Sequence, residues 1–61
     1  MNYHITFTDI NGVTQRYPGI YITLRKARNE AKWMATRSCF FNITIWEGCP
    51  GGIRVETHKA K

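Results

Sequence analysis

The sequence predicts an α+β fold: a four-stranded antiparallel sheet of ββαββ order with one helix packed on one face. Three observations carry that expectation. Two segments near the start and two near the end alternate apolar and polar residues with the period of a half-buried strand, one stretch between them carries apolar residues at helical spacing, and turn-forming residues separate the members of each strand pair. Two hairpins and one helix bury their apolar faces together as two layers. At 61 residues the chain closes only one core, so a single domain over residues 1–61 is expected.

Along residues 3–8, Tyr3, Ile5 and Phe7 fall on one face and His4, Thr6 and Thr8 on the other. Asp9, Ile10, Asn11 and Gly12 then form a turn. A two-residue loop on Asn11 and Gly12 would oppose Phe7 to Arg16 and split the apolar set. A type I turn with Gly12 left-handed, as a G1 bulge, opposes Phe7 to Gln15 and Ile5 to Tyr17, gathering Tyr3, Ile5, Phe7, Val13 and Tyr17 on one side. The bulged turn is expected. Pro18 and Gly19 interrupt the second strand, residues 20–22 continue extended, and Thr23 stands where its hydroxyl caps a helix. Lys26 occupies the position where Glu or Gln would complete a capping box.

Residues 24–37 contain neither Gly nor Pro and read as the helix. Leu24, Ala27, Ala31, Met34 and Ala35 share an arc of roughly 100°, the width of a core-facing stripe, and the small alanines imply close approach to a sheet. Residues 40–46 follow as a third strand, with Phe41, Ile43 and Ile45 on the core side and Asn42, Thr44 and Trp46 opposite; Phe40 either extends the Trp46 side or folds under the helix end. Residues 48–52, rich in Gly and Pro, make a hairpin loop. In the last strand Ile53 and Val55 are expected inward, Arg54 and Glu56 outward, and residues 57–61 frayed.

Nine Lys and Arg against four Asp and Glu give a net charge of +5 and a pI near 9.7, which favours anionic partners. No apolar run approaches the roughly 20 residues of a spanning helix, and the start lacks the features of a signal peptide, so a cytoplasmic protein without membrane contact is expected. Cys39 and Cys49 bracket the third strand, whose extended length would hold them about 20 Å apart, too far for an intrachain disulfide. No Cys or His spacing suits a metal, and the few carboxylates and histidines do not pair into catalytic machinery; neither cofactor nor metal nor enzymatic activity is expected. Asn42-Ile43-Thr44 matches a glycosylation sequon but lies inside a strand.

Two surfaces are candidates for binding. On the helix, Arg25, Arg28 and Lys32 form a basic ridge whose mutual repulsion disfavours the free helix and suits an anion; Trp33 and Arg37 lie on the outward side, where Trp33 either anchors a partner or packs over the Arg37 stem. On the uncovered sheet face, alternation collects His4, Thr6, Thr8, Thr14, Arg16, Asn42, Thr44, Trp46, Arg54 and Glu56. That face, with Arg16, Trp46 and Arg54, reads as a stacking platform for single-stranded nucleic acid, as a self-association surface, or as an ordinary solvated face.

The succession of a hairpin, Thr23-Leu24 opening a helix with Ala27 and Ala31, Ile43-Thr44-Ile45 and a Gly-led last strand resembles small accessory proteins of bacteriophages and prophages. Among them it looks like the compact inhibitors of bacterial RNA polymerase. The resemblance is one of architecture and implies a host-directed binding role. The expected function is thus a basic, non-catalytic binding module contacting nucleic acid or a nucleic-acid-handling host protein through Arg25, Arg28, Lys32, Trp33 and Arg37. The alternative is a structural protein forming a homodimer through its open sheet face.

Overall fold

The computed structural model describes residues 2–48 and 52–58. Strands β1 (Tyr3–Thr8), β2 (Thr14–Tyr21), β3 (Phe41–Glu47) and β4 (Ile53–His58) and helix α1 (Leu24–Ala35) follow in the order ββαββ. All strand pairs are antiparallel, and the sheet order is β2-β1-β3-β4, with the helix against one face.

The first hairpin adopts the register that gathers the apolar residues, with Ile5 opposite Tyr17 and Phe7 opposite Gln15. Asp9 builds the turn. Its carboxylate accepts the backbone N–H groups of Asn11 and Val13, both at 2.9 Å, while its carbonyl accepts the Gly12 N–H at 3.0 Å. Gly12 takes the left-handed conformation this turn requires (φ 81°). Val13, expected inward, is instead exposed. Its N–H and carbonyl both bond Asp9, which places it in the turn ahead of β2. Pro18 and Gly19 bulge the strand without ending it: between the pairs Tyr3 to Tyr21 and Ile5 to Tyr17, β2 spends two residues more than β1, and Gly19 takes φ 117°.

Thr23 caps α1, its hydroxyl accepting the Lys26 N–H at 3.2 Å from an extended backbone. The helix ends two residues before the expected Arg37, because Thr36 turns its hydroxyl back onto the Trp33 carbonyl (2.6 Å). Ala27, Ala31 and Met34 are fully buried against Ile5, Ile43 and Ile45, and Tyr3, Phe7, Tyr17, Tyr21, Leu24, Ala35, Phe40 and Val55 surround this core.

Two irregularities change which face several residues occupy. In β3, Asn42 sits at φ 49° and adds one residue between the pairs Thr6 to Thr44 and Thr8 to Phe41. Side chains directly opposite in an antiparallel pair share a face, so Phe41, expected in the core, lies with Thr8 on the uncovered side. Phe40 takes the inner place. It meets Phe7 edge to face at 4.7 Å and Tyr17 at 5.8 Å, closing a three-ring cluster beside the helix end. In β4, Val55 is the extra residue between the pairs Trp46 to Arg54 and Ile45 to Glu56. Glu56, expected outward, therefore shares the helix side with Ile45.

Ile53 stands opposite Glu47 on that same side but at the sheet edge, beyond the cover of a single helix, and is exposed. Thr57 and His58, expected frayed, pair with Thr44 and Ile43 as the end of β4. Cys39 carries a free, exposed thiol; Cys49, most of the second hairpin loop and the tail beyond His58 lie outside the described residues.

Candidate functional site

Three of the four carboxylates are held by neighbours. Asp9 closes the first turn and also accepts Gln15. Glu30 accepts the Tyr17 hydroxyl at 3.2 Å. Glu56 takes the Arg28 guanidinium on both oxygens, at 3.0 and 3.1 Å, and the His58 imidazole at 2.8 Å. These bonds leave marks on acidity. The Val13 N–H, with Gln15 and Asn11, holds the Asp9 carboxyl below its ordinary value against partial desolvation. The His58 hydrogen bond, then Arg28, does the same for Glu56, again against desolvation. Desolvation, with the Glu30 charge second, raises the Tyr17 phenol and pushes Tyr21 up to about 12.

The basic side chains are disposed differently. Of the described cations, Arg28 alone is ion-paired; Arg16, Arg25, Lys26, Lys32, Arg37 and Arg54 have no carboxylate partner. This alters the helix ridge. Arg28 is drawn to β4 and neutralised, leaving Arg25 and Lys32, two turns apart, as its charged ends. Trp33 is 48% exposed, and Arg37, just past the helix, stacks its guanidinium 5.3 Å from the indole centre. Helix and cap thus present Lys26 and Arg37 on the side of the half-exposed indole, and Arg25 and Lys32 on the adjoining ridge.

The uncovered sheet face is organised in cross-strand rows. One row is Thr14, Thr8 and Phe41; the next is Arg16, Thr6, Thr44 and Thr57; the third is His4, Trp46 and Arg54. Trp46 leans across the rows, its indole N–H donating to the Thr6 hydroxyl at 2.8 Å. His4 is buried there, and its Nδ1–H donates to the Gly48 carbonyl, while the Gly48 N–H bonds the Asn2 carbonyl at 2.8 Å. With Glu56 turned to the helix side, this face carries two arginines and no carboxylate among the described residues.

Sequence reasoning missed Phe41 as a surface aromatic and Glu56 as the partner of Arg28 and His58. A signal existed for the first: two adjacent phenylalanines cannot both face inward from a regular strand, and the Asn that follows tolerates a left-handed bulge. None existed for the second. Among the described residues no three of His, Cys, Asp and Glu come together in a way that would hold a metal ion, and no helix is long and apolar enough to cross a membrane.

No family model, curated protein or solved structure matches this chain.

Proposed function

We propose that the protein is a small, non-catalytic binding module whose partner is nucleic acid, contacted through the helix face by Arg25, Lys32, Trp33 and Arg37. The observation that supports this reading is the partition of charge. Three of the four acids are engaged in turns, pairs and a tyrosine hydrogen bond, while six described cations have no acid partner. Unpaired cations of that kind displace the counterions condensed along the phosphates of a polyanion, and the release of those counterions drives association. The helix side also offers an indole already stacked on one cation, a contact that adds to affinity without adding charge. The proposal includes a cytoplasmic site of action in a bacterial host, as the resemblance to phage accessory proteins implies.

Fluorescence anisotropy of a labelled mixed-sequence oligonucleotide, titrated with the full chain at several salt concentrations, tests this. Replacing Arg25 and Lys32 together by Gln should weaken binding and flatten the plot of log affinity against log salt by about 1.4 to 1.8, the release from two phosphate contacts. Trp33→Ala should lower affinity and leave that slope unchanged. Full-strength binding by both variants would remove the helix face from the proposal.

A further inference from the structure

We infer that the uncovered sheet face is a platform for single-stranded nucleic acid, on which Trp46 stacks a base and Arg16 and Arg54 meet the phosphates on either side. The inference rests on the nucleic-acid reading but concerns a different surface. Its basis is the juxtaposition created by the register of all four strands. Arg54 is directly opposite Trp46, Trp46 is hydrogen-bonded to Thr6, and Thr6 is directly opposite Arg16. With strands about 4.8 Å apart and residues rising about 3.3 Å, these four positions make a diagonal roughly 15 Å long from one edge strand to the other. An aromatic ring between two cations is the minimal arrangement for a base flanked by its phosphates. The Thr6 bond fixes the indole along the sheet, so less freedom is lost when a base stacks on it.

The other side chains suit the same occupant. Thr8, Thr14, Thr44 and Thr57 place hydroxyls in the neighbouring rows, able to donate to or accept from base edges. Phe41, 39% exposed, gives a second ring at the Thr8 end. A duplex keeps its base faces stacked and hidden, whereas a single strand can present them to a flat surface. Charge argues against a second copy as the occupant. A two-fold interface apposes the same patch on both subunits, and here that would bring four arginines, Arg16 and Arg54 from each copy, into one interface with no carboxylate among the described residues of the face to answer them.

The test uses the full chain carrying Trp33→Phe, which leaves Trp46 as the only tryptophan, titrated with oligothymidylate and, separately, with a mixed-sequence duplex. Trp46 emission should be quenched by the single strand, which should bind more tightly than the duplex. In the native background Trp46→Ala should lower single-strand affinity about tenfold with the salt slope unchanged, and Trp46→Phe should restore most of it. Arg16→Gln with Arg54→Gln, substitutions at exposed positions that leave the indole in place, should flatten the slope by about 1.4. If oligothymidylate binds with a slope set by Arg25 and Lys32 while Trp46 emission stays constant and the Arg16/Arg54 variant binds at full strength, the platform is overturned and the helix-face reading stands. If neither probe binds at low salt, both are overturned. A dimer whose Trp46 emission shifts with protein concentration alone would also overturn the platform.

Discussion

Glu56 shows how one side chain sets both stability and surface charge. Holding Arg28 and His58, it joins α1 to β4 and cancels the middle charge of the helix ridge. Glu56→Gln should cost about 0.5 kcal/mol of stability, the scale of a partly exposed ion pair, yet strengthen oligonucleotide binding and steepen its salt slope by about one contact. Denaturant melts and anisotropy check the two effects, and unchanged binding would mean that Arg28 is remote from the nucleic acid. The titrating groups give the stability a pH dependence on both sides of neutrality. Asp9 and Glu56 lie below their ordinary values of 3.8 and 4.5 in the folded state, so the stability they supply is present above those values and lost as pH falls below them. Tyr21 runs the other way. Its phenol rises from 10.0 to about 12, chiefly by desolvation, so its contribution is complete below pH 10 and lost as pH climbs toward about 12. Circular dichroism melts across pH should show both flanks, and Tyr21→Phe should flatten the alkaline one.

Strands and helix were legible in the sequence where one rule governs many residues. Alternation from Tyr3 to Tyr17, with Gly12 at the bend, was enough to choose the first hairpin's register, and the Ala27, Ala31 and Met34 stripe named the helix face that is buried. The bulges were not legible. A single inserted residue exchanges the two faces of everything beyond it, and at Val55 no Gly, Pro or Asn marks the insertion, so simple alternation puts Glu56 on the side opposite to the one it occupies. At Asn42 the mark was present but ambiguous, since Asn also occurs in regular strands. Substitutions separate these cases. Asn42→Gly should leave stability near that of the native chain and Asn42→Val should cost about 1–2 kcal/mol, because a β-branched residue resists φ 49°. Ala31→Leu should cost about 1–3 kcal/mol by overpacking the helix against the sheet. An unchanged melting temperature in the Ala31 variant would contradict the packing described.

For the whole molecule, the decisive property is that charge is sorted by role. Three of the four acids are engaged by neighbours, and the described cations other than Arg28 are left without an acid partner, on the helix side and on the bare sheet face alike. The excess of basic residues was plain from composition, but its sorting was not, because the acid that pairs Arg28 reaches the helix side only through the one-residue insertion at Val55. A chain so arranged should answer to salt more than to any other variable. The most direct measurement is the equilibrium affinity for a labelled oligonucleotide as a function of salt concentration. Charge sorted in this way predicts a linear fall of log affinity with log salt, its slope reduced stepwise by Gln at Arg25 and Lys32 and again at Arg16 and Arg54. An affinity independent of salt, or no binding at low salt, would contradict it.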